Sequence, residues 1–331
     1  MTVAPSDLAT QPIGEAAPVA DGVWQLKLPV PFPLRFVSVY LVAGEDGWTL
    51  VDAGYDYPPA REAWEAGTAT VGCDLARDVE RIVVTHFHPD HLGAARWLGE
   101  RTGAPICMMD REIPFARKIW SSSDAGPFLE YLIRLGMPEE AAGSATAVMR
   151  YALPLPEDMF PLRPGEKMTM GERAVRIIHA PGHADNQIVL HDEAEGILFA
   201  ADHLLLEITP NIGLWPESQP HPLARYLESL EGMRDLGADP ILPGHGPVFH
   251  DLDGRIGELI LHHEERLEVM RREISDPPKT PYEVSRLVFR GTLTDHQRCF
   301  ALAETLAHLD HLVLEGRAQS MENEIVVFQT S

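Results

Sequence analysis

The sequence predicts an α+β fold: a sheet core with helices packed on it, and a smaller helical module after it. Three observations lead there. Residues 23–51 read as a run of apolar, β-branched strands parted by proline and glycine. Residues 81–98 read strand, turn, helix, and the strand-then-turn device returns around His183, Asp202 and His245. From Arg255 onward the apolar period becomes helical.

Residues 1–20, rich in alanine, proline and polar side chains, are expected to form a flexible N-terminal arm. Strands are expected over 23–28, 36–43 and 48–51, then a helix over 58–70 and a strand over 78–84, whose Ile82, Val83 and Val84 suit a buried position. A helix should start at Leu92, and 105–109 reads as a short strand. The stretch 110–164 differs in character. Breaks at Pro114, Gly126-Pro127, Gly136 and Pro154 divide it into helices with an apolar side made by Phe115, Trp120, Phe128, Tyr131, Leu132 and Leu135. This helical insertion either roofs a pocket as a substrate lid, or packs as a helix pair on the core or in a dimer contact. Further strands are expected over 175–179, 188–190, 196–200 and 240–242, with a helix over 225–236. A boundary near residue 250 leaves 21–250 as a catalytic domain and 251–331 as a C-terminal module. In that module helices over 255–274, 281–289 and 298–316 precede a strand or hairpin over 318–328, the order of elements in a winged helix.

Composition removes several function classes. The 331 residues are 45% hydrophobic, enough to build a sizeable core. The net charge of −23 argues against gripping nucleic acid or an anionic membrane, both of which call for a basic surface. Cys73, Cys107 and Cys299 are far apart and form no C-x-x-C pair, so neither a disulfide framework nor a cysteine-held zinc is expected. No basic stretch followed by an apolar one opens the sequence, and no apolar run reaches membrane-spanning length. A cytoplasmic protein with no membrane partner is the simplest expectation.

The chemistry centres on residues 81–93, R-I-V-V-T-H-F-H-P-D-H-L-G. Three imidazoles and a carboxylate within six residues, at the end of a buried strand, make a ligand set suited to zinc and neighbouring first-row metals. The bland alternative is a polar loop rich in histidine. Isolated histidines such as His179 and His191 are read that way, and His262-His263 on the long helix as solvated or interfacial. His183 in P-G-H, Asp202 in A-D-H and His245 in P-G-H-G also follow strands, so all seven side chains can converge on one edge of the core. His86, His88 and His183 would form one metal site; Asp90, His91 and His245 would form the other; Asp202 would bridge them. Two dications on the order of 3.5–4 Å apart convert a bridging water to hydroxide at neutral pH and act as a Lewis acid. Asp90 is the candidate catalytic residue, orienting the attacking water or protonating the leaving group. Asp52 is open to two roles, turn residue or a carboxylate steadying a metal-bound histidine. Asn211, Trp215 and His221 lie in a proline-punctuated loop that either touches substrate or packs at the surface.

The segments T-H-F-H-P-D-H-L-G, P-G-H, A-D-H and P-G-H-G, with Val51-Asp52-Ala53-Gly54 before them, resemble the motifs of the metallo-β-lactamase superfamily in order and separation. The resemblance covers about residues 23–250. It implies an αβ/βα four-layer sandwich and the metal assignments just given, with zinc as the leading ion and manganese or iron as alternatives. Asp202 is similar to the bridging carboxylate of the glyoxalase II-like, lactonase and nuclease branches, where class B lactamases carry a different residue. Quorum-signal lactonases have a tyrosine shortly after that aspartate; here His203, Leu204, Leu205 and Leu206 follow. The C-terminal module resembles that of the human lactamase-like endoribonuclease and of bacterial metallo-hydrolases. The basic glutathione-binding sequence of glyoxalase II-like enzymes is not found near the C-terminus. The expected function is dinuclear metal-dependent hydrolysis of a small thioester or other carboxylic ester by a metal-bridging hydroxide. The alternatives are single-strand-specific RNA cleavage, or lactonase or weak β-lactamase activity. The expected partner is a small-molecule substrate, with nucleic acid disfavoured and a homodimer kept open.

Overall fold

The structure, a computed structural model, describes residues 11–121, 124–149, 151–322 and 324–331. The first ten residues of the expected arm lie outside them. The chain divides into two compact units that do not follow chain order. The first holds residues up to 120, 153–210 and 233–255; the second holds 121–152, 211–232 and 256–331.

Two sheets build the first unit. Its opening strands are β1 (Ala16–Ala20), β2 (Val23–Pro29), β3 (Phe36–Ala43) and β4 (Trp48–Val51). Residues 16–20 are therefore a strand, not part of an arm. Short alanine-rich A-A-P-V-A carries no alternating pattern to betray it, and Pro18 is tolerated because β1 lies at the sheet edge. Helix α1 (Pro58–Thr70) opens on proline and buries Ala60, Ala63, Trp64, Gly67 and Thr68, one face at helical spacing, against β1 and β2. Then come β5 (Val79–Val84), α2 (Pro89–Leu92), α3 (Ala95–Thr102), β6 (Ile106–Met109), α4 (Glu112–Trp120) and β7 (Phe160–Leu162). Strands β1 to β7 lie in sequence order, antiparallel as far as β4 and parallel from there.

The second sheet is β12-β11-β10-β9-β8, formed by β8 (Lys167–Met170), β9 (Arg173–His179), β10 (Ile188–Asp192), β11 (Ile197–Ala201) and β12 (Ile241–Pro243). One apolar cluster joins the sheets: Val23, Tyr40, Val42, Val51 and Val83 from the first, Val175, Ile177, Leu190, Phe199 and Leu242 from the second. The Tyr40 and Phe199 rings meet edge to face at 5.6 Å. The strand ends that carry chemistry are the C-terminal ends of β4, β5, β9, β11 and β12.

The second unit contains α5 (Gly126–Arg134), α6 (Glu139–Met149), α7 (Pro222–Glu231), α8 (Leu252–Glu273, its first turn in the first unit), α9 (Pro281–Val288), α10 (Asp295–Leu314), and the hairpin of β13 (Ala318–Glu322) with β14 (Val326–Thr330). Helix α10 is its axis. It buries side chains nearly all round, from Cys299 to Leu312, and touches α6, α7, α9 and β13. Capping boxes at Thr280/Glu283 and Thr294/Gln297 start α9 and α10. Two expectations change here. The insertion at 110–164 is not one piece: α4 stays in the first unit, and α5 and α6 join the C-terminal helices. His263 is not solvated; it is fully buried, its Nδ1 3.0 Å from His308 Nε2.

Among the described residues no helix is long and apolar enough to cross a membrane. Cys73, Cys107 and Cys299 are buried and not joined in disulfides.

Candidate metal centre

Strand β5 delivers His86, His88, Asp90 and His91 through a turn and the short helix α2. The loop after β9 delivers His183, β11 ends beside Asp202, and β12 leads into His245. The structure brings all seven together. Ligand-capable atoms of His86, His88 and His183 lie within 4.8 Å of one another, as do those of His86, His91 and Asp202, and those of Asp90, His91 and His245. His86, Asp90, His91, Asp202 and His245 are buried, whereas His88 and His183 are half-buried.

Three of the imidazoles are aimed by their outer nitrogen. His86 Nδ1 lies 3.0 Å from Thr85 Oγ1, His91 Nδ1 lies 2.8 Å from Asp52 Oδ2, and His245 Nδ1 lies 2.9 Å from the Phe36 carbonyl oxygen. Each arrangement turns Nε2 inward. Asp52 also accepts the Thr85 backbone N–H at 2.8 Å and the Thr85 hydroxyl at 3.0 Å. It sits at φ 67°, a left-handed conformation that aspartate tolerates better than most residues. Of the two roles the sequence left open, the structure thus gives Asp52 that of bracing a histidine.

The strand ends are themselves tied across the two sheets. The Ser38 N–H donates to the Gly244 carbonyl at 2.7 Å, the Tyr40 hydroxyl to the Pro243 carbonyl at 2.7 Å, and the Ile188 N–H to the Thr85 carbonyl at 3.1 Å. Ala201 is strained at φ 46°, one residue before Asp202. A Cβ at Gly244 would lie 2.1 Å from Asp202 Oδ1 and 2.9 Å from His91 Cε1, so only glycine leaves the carboxylate its place.

The donor set fits a pair of dications. Nε2 of His86, His91 and His245 and Oδ1 of Asp202 are buried without a hydrogen bond. Buried polar atoms are rarely left so unless something else satisfies them. Asp202 Oδ1 lies 3.4 Å from His91 Nε2, while its Oδ2 lies 3.5 Å from His183 Nε2 and 3.4 Å from His245 Nε2. One carboxylate therefore faces histidines of both groups.

The electrostatics follow from burial and neighbours. Burial, with His91 and His88 beside it, pushes the His86 imidazole well below its ordinary range, and burial with His183 holds His88 down at about 3. Both are neutral, the form that binds a metal. At His91 and His245 burial also opposes the charged form but is outweighed: Asp202 and Asp52 raise His91, and Asp202 and Asp90 raise His245 to about 10. Burial works to raise the Asp90 and Asp202 carboxyls, yet the adjacent imidazoles hold both low. The carboxylates are thus charged and able to face cations.

The other sequence candidates belong to none of the three donor groups. His179 Nε2 lies 2.9 Å from the Asp185 carbonyl oxygen. His203 is buried and pushed down to about 3 by burial and by His183. Asn211 donates to Glu304 at 3.0 Å, the Trp215 ring meets Phe300 edge to face at 5.5 Å, and His221 Nδ1 lies 2.9 Å from Asp310, all within the second unit. Sequence reasoning missed Thr85, Glu112 and Asn186. Thr85 precedes the histidine turn and could have been found there; the other two carry no local signal.

Residues 32–245 match the metallo-beta-lactamase superfamily, and residues 267–331 match its metallo-beta-lactamase-like C-terminal domain. A Bacillus subtilis protein named probable metallo-hydrolase YqjP is 28% identical over 325 residues, spanning 94% of this chain and 98% of its own. The crystal structure of a metallo-beta-lactamase family protein from Thermus thermophilus is 33% identical with a TM-score of 0.83, covering 94% of this chain and 99% of that one. A beta-lactamase domain protein from Burkholderia ambifaria is 30% identical with a TM-score of 0.85, covering 96% and 95%. Together with the sandwich of two sheets and the histidine–aspartate cluster at their shared edge, these matches show that the chain belongs to the metallo-beta-lactamase superfamily.

Proposed function

We propose that the protein is a dinuclear metal-dependent hydrolase of a small ester-like substrate, a thioester or another carboxylic ester, with zinc as the resident metal. The observation that carries this reading is the Asp202 carboxylate, whose two oxygens lie 3.4–3.5 Å from histidines of both donor groups. His86, His88 and His183 would hold one ion, Asp90, His91 and His245 the other, and Asp202 would span them. Two such ions supply a Lewis acid for the carbonyl oxygen and make a water acidic enough to ionise near neutral pH. The chain's own groups do the rest. Asp90, with Oδ2 3.2 Å from His245 Nε2, is placed to take the proton of the attacking water and return it to the leaving group. Asp52 and Thr85 hold the histidine turn still. The Phe87 ring, 4.6 Å from that of His88, offers an apolar wall beside the site. The net charge of −23 disfavours a polyanion such as RNA.

Purified, zinc-loaded protein should hydrolyse acyl thioesters faster than lactones, nitrocefin or single-stranded RNA. RNA cleavage as the fastest reaction would replace the ester reading with the nuclease one. His88→Ala and Asp202→Ala should each abolish turnover and lower bound metal while the circular-dichroism spectrum stays that of the parent. Parental rates in either variant would refute the metal assignment.

A further inference from the structure

Helix α4 holds the turn that carries His86 and His88 by both peptide groups of the residue between them. Glu112, at the start of the helix, accepts the Phe87 backbone N–H at 2.9 Å. Trp120, at its end, donates its indole N–H to the Phe87 carbonyl oxygen at 2.9 Å. The Phe87 ring packs edge-on against Phe115 of the same helix, with centroids 5.0 Å apart. The clamp reaches further. The second oxygen of Glu112 accepts from Asn186 Nδ2 at 3.1 Å, and Asn186 lies three residues beyond His183. Glu112 is completely buried and Asn186 nearly so. A buried carboxylate is costly to keep unless its bonds matter to the structure around it. These two bonds join the turn after β5 to the loop after β9, which lie in different sheets.

We propose that Glu112 is a positioning residue for the site formed by His86, His88 and His183. It fixes the distance between the two loops that supply those imidazoles, and it leaves the site formed by Asp90, His91 and His245 to be set by other bonds. The inference rests on the two-site reading above. His91 and His245 are aimed by Asp52 and by the Phe36 carbonyl, neither of which Glu112 touches. Loss of Glu112 is therefore felt unequally by the two ions. The substitution that keeps its geometry is Glu112→Gln. Its amide oxygen can accept from Phe87, and its amide nitrogen can donate to Asn186 Oδ1, which has no hydrogen bond now and would be presented by a flip of that amide.

The test is titration of the metal-free full chain with zinc against a chromophoric chelator, with cobalt absorption spectra as a second readout of ligand geometry. The parent protein should take up two ions per chain; uptake of one or none would sink the two-site reading itself. With two sites in the parent, Glu112→Ala should keep one affinity and weaken the other by about 10–100-fold. Its cobalt spectrum should change for that site alone, and Glu112→Gln should restore both affinities. Equal weakening of both ions, or two parental affinities in folded Glu112→Ala, would overturn the proposal. Should Glu112→Ala fail to fold, Asn186→Ala decides, because it keeps the Phe87 clamp and cuts only the tie between loops. One weakened site supports the proposal, and two parental sites or two equally weakened ones overturn it.

Discussion

Single side chains decide this site through their hydrogen bonds more than through proximity. His91 faces inward because its Nδ1 is hydrogen-bonded to the Asp52 carboxylate, and Asp52 can make that bond because it accepts a left-handed backbone that also presents it to Thr85. Asp52→Ala should therefore weaken zinc binding by about 10–100-fold, read by chelator competition, with little change in the far-ultraviolet circular dichroism. Glu112 gives a second prediction at this scale. Burial lifts its carboxyl from 4.5 to about 7 against the bonds from Asn186 and Phe87. The folded state thus keeps a proton that the unfolded chain releases between pH 4.5 and 7. The stability this group contributes falls as pH rises through that window, by up to about 3 kcal/mol, and is flat above it. Urea melts of the metal-free protein should show that slope in the parent and a flatter one in Glu112→Gln. The seven candidate ligands were legible in the sequence because metal-binding side chains crowd into short turns after apolar strands. Glu112 and Asn186 were not. Each is an ordinary letter in an ordinary segment, and only folding reveals that they meet.

At the scale of elements, the strands and helices with strong apolar patterns were the readable ones. Strands at 36–43 and 48–51 and the helix at 58–70 stand where their patterns put them. Strand β1 was hidden because alanine and proline carry no alternation, and its pairing with β2 is what orders it. The pairing of α6 with α10 was hidden for another reason. Contact between segments some 150 positions apart leaves no trace in either segment's own periodicity. The turn after β12 carries a prediction of this scale. Gly244→Ala would set a methyl group 2.1 Å from the present position of Asp202 Oδ1. The carboxylate has to move, and the variant should bind fewer than two ions per chain while β11 and β12 stay paired, as hydrogen exchange at Leu198, whose N–H donates to the Pro240 carbonyl, would report. Unaltered stoichiometry would mean that Asp202 is not held by that close approach.

For the whole molecule, the sequence reads as a catalytic domain over 21–250 and a module over 251–331, whereas the chain divides into two units each built from separated stretches. Three separated stretches build the second unit, so a break at residue 250 would strip α6 and α7 of the partner helix α10. A metal bound at the His/Asp cluster would add its binding free energy to the stability of the folded chain. Zinc at about a thousand times its dissociation constant should stabilise the folded chain by about 4 kcal/mol for each site, and a chelator should remove that gain. Thermal melts across a zinc series would check it. A midpoint independent of zinc would contradict the site.

The donors reach the centre from both sheets: His86, His88, Asp90 and His91 from the turn after β5, and His183, Asp202 and His245 from β9, β11 and β12. A growing polypeptide on the ribosome consequently holds no finished cradle until its last histidine has emerged, some 160 positions after the first. Capture of a second cation would then be a late event in the protein's life, waiting on the last strand of the second sheet. A nascent fragment stalled before β12 should bind fewer zinc ions than the finished chain, because it lacks His245.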